Sequence, residues 1–65
     1  MTVGERLRSL RITQNLSQAE FAKSIGIKQS SLSLIEKGTT KPSIDTILAA
    51  SKKYGVTTDW LLKGH

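Results

Sequence analysis

Apolar residues recur along this chain at the spacing of helix faces, and no stretch shows the alternation of a half-buried strand. The pattern predicts an all-α fold of five short helices joined by short connections. The helices are expected to run from Val3 to about Gln14, from Gln18 to Ser24, from Gln29 to about Lys37, from Ile44 to Tyr54 and from Thr58 to Lys63. Their apolar faces should share one core formed by Val3, Leu7, Leu10, Phe21, Ala22, Ile25, Ile27, Leu32, Ile35, Ile44, Ile47, Leu48, Tyr54, Val56, Trp60 and Leu61.

Capping residues mark the ends of these helices. Ser17 is a suitable N-cap for the second helix, and Glu20 completes an S-x-x-E capping box with it. Leu16 can pack against Phe21 across that cap. The other expected N-caps are Thr2, Ser43 and Thr57, and the expected C-terminal stops are Asn15, Gly26 and Gly55.

The segment SQAEFAKSIGIKQSSLSLIEKG, from Ser17 to Gly38, places two short helices on either side of a tight turn at Gly26. The second of them carries Leu32 and Ile35 on one face, because each residue rotates by about 100° around a helix. Its other face is formed by Gln29, Ser30, Ser33, Leu34 and Lys37.

Two interpretations of this polar face are open from the helix alone. It is either a solvated surface with one exposed leucine, or a face that reads base edges, where glutamine can pair with adenine and leucine can contact a thymine methyl group. The capped helix and the glycine turn before it favour a DNA-binding helix-turn-helix spanning about residues 17–37.

Size and charge narrow the classes of function. Sixty-five residues make a single domain, 1–65, and ten Lys and Arg against five Asp and Glu give a net charge of +5, which suits a polyanionic partner. The absence of cysteine fits a reducing cytoplasm. No apolar run is long enough for a membrane span. With His65 as the lone histidine, we expect no metal, no cofactor, no small-molecule substrate and no enzymatic activity.

The whole chain resembles the Cro and CI-type helix-turn-helix repressors of lambdoid phages and related bacterial regulators, the XRE family. The resemblance rests on the order and spacing of several motifs: GERLRSLR, LSQAEFA, GIKQSSLSLIEKG, KPSIDTIL and GVTTDWLLKG. It implies a compact five-helix lambda-repressor-like domain that binds operator DNA in the bacterial cytoplasm, associated with the nucleoid.

Roles for individual residues follow from this resemblance. Gln18 matches a glutamine that holds a DNA phosphate and supports the glutamine opening the recognition helix, here Gln29. Gln29 and Ser30 match a base-reading Gln-Ser pair, and Leu34 stands where lambda repressor has a small apolar residue facing a thymine methyl group. Ser33 and Lys28 complete the expected base-reading set.

The resemblance also implies an ion pair between Arg11 and Glu36. If the pair is buried, losing one partner would cost about 3–5 kcal/mol, whereas a surface pair contributes at most about 1 kcal/mol. Arg11 can hold a phosphate together with the Glu36 carboxylate. The other expected phosphate contacts come from the start of the second helix and from the loop after the third, where backbone amides are also offered: Ser17, Gln18, Lys37, Thr39, Thr40 and Lys41. Arg6, Arg8, Lys52 and Lys53 are expected to be solvated surface charges without assigned contacts.

Two positions depart from the family pattern. Lys28 stands where relatives usually have Ser or Thr as the N-cap of the recognition helix, which suggests a phosphate or guanine contact instead. Lys41-Pro42-Ser43 lacks the arginine that some relatives insert into a narrow minor groove.

These observations predict a transcriptional regulator, a phage or prophage repressor (a CI amino-terminal domain or a Cro), that binds a pseudo-palindromic operator as a homodimer. By resemblance, Thr57, Thr58 and Leu62 are the candidate dimer contacts. The alternative is an antitoxin or a regulator antagonist whose main partner is another protein, and an exposed apolar tail or patch would favour it.

Overall fold

The computed structural model describes residues 1–65 and contains five α-helices and no strand. The five predicted helices are confirmed, and every boundary lies within one residue of its expected position. The helices are α1 (Val3–Thr13), α2 (Gln18–Ser24), α3 (Gln29–Glu36), α4 (Ile44–Tyr54) and α5 (Thr58–Lys63). None of them has the length and apolar character needed to cross a membrane.

Side-chain caps begin four of the five helices. At the start of α2, the Ser17 hydroxyl accepts a hydrogen bond from the Glu20 amide at 3.1 Å, while the Glu20 carboxylate accepts one from the Ser17 amide at 2.9 Å. Thr2 and Glu5 form the same capping box at α1. The hydrogen bond from the capping residue's backbone amide lowers the pKa of each of these two glutamates. Ser43 and Thr57 cap α4 and α5.

The exception is α3, whose N-cap Lys28 makes no side-chain hydrogen bond. Serine at this position would supply an acceptor for the free amides of the first turn. We expect Lys28→Ser to be more stable than Lys28→Ala by about 1 kcal/mol in thermal unfolding. Both variants remove the same positive charge, so the alanine variant is the matched control. Equal unfolding temperatures for the two would contradict the assignment of Lys28 as an uncapped N-cap.

The core lies where the five helices meet. The rings of Phe21 and Tyr54 stack with centroids 5.2 Å apart, joining α2 to α4. The buried side chains are Leu7, Leu10, Phe21, Ala22, Ile25, Leu32, Ile35, Ile47, Ala50 and Leu61. Packed around them and partly buried are Val3, Leu16, Ile27, Ala49, Tyr54, Val56 and Trp60.

The predicted core face of α4 is wrong at two positions. Ile44 and Leu48 are 68% and 53% exposed, while Thr46 is buried beside Ile47 and Ala50. The hydroxyl of Thr46 hydrogen-bonds that of Ser43 at 3.0 Å, so this polar group is satisfied inside the protein. The helix is therefore rotated so that Ile44 and Leu48 form a small apolar patch on its outer side.

Arg6 is also placed differently from the prediction, since it is 7% exposed rather than solvated. Its guanidinium donates hydrogen bonds to the carbonyls of Leu61 at 2.7 Å, Leu62 at 2.8 Å and Met1 at 2.6 Å. Carbonyls near the end of a helix lack partners within it, and the negative end of the helix favours a cation. Arg6 thus fastens the end of α5 to α1.

Helix α1 lies directly against the backbone of α3 at Gly4. A Cβ atom at this position would overlap the carbonyl oxygen of Ile35 and lie 2.9 Å from its carbonyl carbon. The absence of a side chain at Gly4 therefore sets the separation of the two helices and the position of the end of α3.

Candidate nucleic-acid interface

A four-residue turn, 25–28, sets the angle between α2 and α3. Gly26 adopts a left-handed conformation with φ of 76°, and the Ile27 amide donates to the Ala22 carbonyl at 3.0 Å. Phe21 and Leu32 are fully buried beneath the two helices. The turn and the core together hold α3 with its apolar face inward and its polar face outward.

The outward face of α3 carries four of the five predicted base-reading residues. Gln29 and Ser30 are exposed, Ser33 is half-buried and Leu34 is 44% exposed. The side-chain hydrogen bonds of α2 and α3 are made by other residues, namely Ser17, Gln18, Glu20, Ser24 and Glu36. The donors and acceptors on this face are therefore available to a ligand, and Lys28 is exposed at its start.

Arg11 and Glu36 form a bidentate ion pair between α1 and the last residue of α3. The Nε and Nη2 atoms of Arg11 donate to the two Glu36 carboxylate oxygens at 2.8 and 3.0 Å, and its Nη1 donates to the Leu16 carbonyl at 3.1 Å. The Arg11 and Glu36 side chains are only 14% and 4% exposed. Hydrogen bonding to Glu36 raises the pKa of Arg11.

Gln18 takes part in the same network. Its amide nitrogen donates to Glu36 Oε1 at 3.1 Å. The resemblance implied that Gln18 supports Gln29, but the contact is made with Glu36 instead, at the opposite end of α3. The side-chain amide of Gln18 therefore ties the first turn of α2 to the carboxylate that also holds α1.

A polar cleft of about 280 Å³ lies beside this network and is lined by Arg8, Gln18, Ser33, Glu36 and Lys37. The sequence-based interpretation left Arg8 as an unassigned surface charge. The sequence did contain a signal that Arg8 faces this cleft. Gly4, Arg8 and Arg11 follow the i, i+4, i+7 spacing of one helix face, and α3 packs against Gly4.

The loop after α3 exposes the side chains of Thr39, Thr40 and Lys41. The backbone amides of Thr39 and Thr40 both donate to the Leu34 carbonyl, at 3.0 and 3.4 Å. In the structure these two amides are therefore engaged rather than offered to a ligand, because they satisfy a carbonyl at the end of α3. The two hydroxyls, the Lys41 ammonium group and the exposed Lys37 side chain remain available.

The candidate dimer contacts lie at the turn before α5 and along that helix. Thr57 is exposed and its hydroxyl accepts from the Trp60 amide, so it is engaged as a cap. Thr58 is half-buried, and Leu62 is 48% exposed.

Comparison with known proteins agrees with this geometry. The structure is similar to a crystal structure of the c2 repressor protein of Salmonella phage P22 in complex with a synthetic operator, with a TM-score of 0.91 and 34% identity, covering 100% of this chain and 98% of that one. Among curated sequences, the chain is 40% identical over 55 residues to the antitoxin PezA of Streptococcus pneumoniae, covering 85% of this chain and 35% of PezA. It is 38% identical over 61 residues to YonR, a prophage-derived transcriptional regulator of Bacillus subtilis, covering 94% of this chain and 56% of YonR.

The chain thus spans less than two thirds of the length of these two curated relatives. The five-helix arrangement is that of the lambda-repressor-like DNA-binding domains, to which the P22 repressor domain also conforms. The helix-turn-helix family matches residues 7–61, which include all of α2, α3 and α4. The chain belongs to the helix-turn-helix family of phage repressors and bacterial transcription regulators.

Proposed function

We propose that the chain is a sequence-specific DNA-binding transcriptional regulator of the phage or prophage repressor type. The observation that carries the proposal is the exposed face of α3. There the Gln29 and Ser30 side chains make no intramolecular hydrogen bond and the Leu34 side chain is exposed, while the opposite face is fixed in the core. Similarity over the full chain to a repressor crystallised on an operator supports it. No catalytic step and no cofactor are part of this function.

In the proposed complex, α3 lies in the major groove. Gln29 pairs with adenine through its side-chain amide, Ser30 donates to or accepts from a neighbouring base, and Leu34 contacts a thymine methyl group. Ser33 allows close approach of the helix backbone, and Lys28 contacts a guanine or a phosphate. Repression follows because the bound protein occupies promoter DNA in the bacterial cytoplasm.

Phosphates are held on both sides of this helix. At the start of α2, the backbone amides of Gln18 and Ala19 have no intrahelical partner. The capping box uses the amides of Ser17 and Glu20. Arg11 retains N–H groups not used by Glu36 or Leu16. The remaining proposed phosphate contacts are the side chains of Lys37, Thr39, Thr40 and Lys41.

The protein is proposed to bind as a two-fold dimer on a pseudo-palindromic operator, with half-sites about one helical turn apart. Thr57, Thr58 and Leu62 are the proposed contacts, and the exposed Leu62 is the apolar group among them. Analytical ultracentrifugation with and without operator DNA distinguishes a dimer formed in solution from one formed only on DNA.

The proposal is tested by gel-shift titration on the DNA flanking the protein's own gene, at several salt concentrations. Specific binding predicts retained affinity for one short region when competitor DNA is in excess. A weak affinity that is indifferent to sequence and disappears with salt would contradict it.

Base reading and phosphate binding are separated by one pair of variants. We expect Gln29→Ala to reduce discrimination at one operator position by about 1–3 kcal/mol, whereas Lys41→Ala should weaken binding to all sequences similarly. Affinities are measured on the operator and on duplexes substituted at each position in turn. Equal losses on every duplex for both variants would refute this division of roles.

A second candidate function, an antitoxin or regulator antagonist, is favoured by one feature of α4. Ile44 and Leu48 form an exposed apolar patch, which a protein partner could cover, and PezA is among the relatives. Co-expression with the protein encoded by the adjacent gene tests it. A stoichiometric complex that is lost in Leu48→Lys, with DNA affinity unchanged, is the expected result for this candidate.

A further inference from the structure

Three cationic side chains lie around a single carboxylate near the end of α3. Arg11 pairs with Glu36 through two hydrogen bonds, and Arg8 and Lys37 line the cleft against the same carboxylate. No other acidic residue lines that cleft. Since Arg11 already pairs with Glu36 through two hydrogen bonds, Arg8 and Lys37 leave this cleft with more positive than negative charge. An excess of positive charge in a polar cleft favours an anion.

Arg8 differs from the other two arginines of α1 in having no strong partner. Arg6 is engaged by three carbonyls and Arg11 by Glu36 and Leu16. The Arg8 Nε atom lies 4.0 Å from Glu36 Oε1, and its side chain is 61% exposed. A long, exposed pair of this kind contributes little to stability. The guanidinium of Arg8 is therefore free to bind a ligand.

The cleft opens beside the proposed base-reading face. Ser33 and Lys37 lie about 40° and 80° around α3 from Gln29, so both belong to the edge of that face that borders the cleft. A duplex seated on α3 brings a phosphate-bearing strand along this edge. Gln18 and Ser33 supply neutral hydrogen-bonding groups to the same cleft.

We propose that this cleft is a phosphate-binding site for one DNA strand and that Arg8 is its principal ligand. Lys37 acts as the second cation, while Glu36, neutralised by Arg11, keeps α1 and α3 at the separation the phosphate needs. A planar guanidinium can bind two phosphate oxygens at once, which fixes the register of the strand as well as adding attraction. This proposal rests on the proposed DNA-binding function, and it adds a contact from α1 to the DNA interface.

The test is the salt dependence of binding to a short mixed-sequence DNA duplex, measured by fluorescence anisotropy. Each phosphate contact contributes about 0.9 to the slope of log affinity against log salt concentration. We expect Arg8→Gln to lower the slope by about 0.9, so that its affinity disadvantage shrinks about threefold between roughly 50 and 200 mM salt. Arg8→Lys should retain most of the slope, because it keeps the charge.

Lys53→Gln is the matched control, because it also removes one exposed positive charge but lies on α4 in a different cleft, with Ser24. Its slope should equal that of the wild type. If Arg8→Gln and Lys53→Gln behave alike while the wild type binds the duplex, the cleft is not a phosphate site and the DNA-binding function stands. If the wild type does not bind the duplex at all, the proposed function itself fails. Unchanged thermal unfolding of Arg8→Gln is expected, since its side chain is exposed.

Discussion

Replacing Gly4 with alanine is expected to destabilise the domain by about 3 kcal/mol, near the upper end of the usual range for overpacking. The added Cβ would overlap the Ile35 carbonyl oxygen, and this neighbour is helix backbone rather than the end of a flexible side chain. Either α1 or α3 must move to make room. Since a domain of this length has a total stability of about 3–10 kcal/mol, the loss is a large fraction of it.

The sign of this effect separates packing from helix propensity. Alanine is favoured over glycine within helices by about 0.5–1 kcal/mol, so propensity alone predicts a more stable variant. Packing predicts a melting temperature lower by about 12–24 °C, measured by circular dichroism. Ser9→Ala, on the exposed side of the same helix, is the control and should be neutral or slightly stabilising. A Gly4→Ala variant as stable as Ser9→Ala would show that the helices can separate at little cost.

Local signals predicted the helices well because each boundary depends on residues close to it in sequence. The capping boxes at Thr2 and Ser17 and the left-handed Asn15 need only neighbours within a few positions to form. The poor N-cap at Lys28 could also be predicted from the sequence, because a lysine side chain has no acceptor for the amides of the first turn.

The rotation of α4 could not be predicted in the same way, because two overlapping faces of that helix are compatible with its sequence. Choosing Ile44 and Leu48 as core residues follows hydrophobicity, whereas the fold buries Thr46 and Ala50 with Ile47. The buried face is decided by how α4 meets its neighbours. The Ser43–Thr46 hydrogen bond then removes the penalty for burying a hydroxyl.

The outward face of α3 was predicted from periodicity, but its polar surroundings were not. Arg6 and Arg8 are two residues apart in one helix, yet one is buried against carbonyls and the other faces the cleft. Their different positions depend on α5 and α3, which are distant in sequence. The amides of Thr39 and Thr40 likewise donate to the Leu34 carbonyl, because the loop folds back over the end of α3.

Removing the carboxylate of Glu36 should have the second large effect. Glu36→Ala would leave the guanidinium of Arg11 mostly buried without its anion, and Gln18 would lose the acceptor for its side-chain amide. We expect a loss of about 3–5 kcal/mol, because an uncompensated buried charge is strongly unfavourable. Urea unfolding measures the loss. A surface pair would instead lose at most about 1 kcal/mol.

The double variant Arg11→Met/Glu36→Leu separates the pair's own contribution from the penalty of an orphaned charge. Apolar replacements of a buried ion pair are often neutral, so the double variant should recover most of the stability that Glu36→Ala loses. DNA affinity should not recover with it. The proposed contact from Arg11 to a phosphate is gone, and the network that holds Gln18 no longer exists. Recovery of both stability and DNA affinity would mean that the ion pair only fills space between α1 and α3. Recovery of stability alone would show that the pair contributes to DNA binding, through the Arg11 contact to a phosphate, the placement of Gln18, or both.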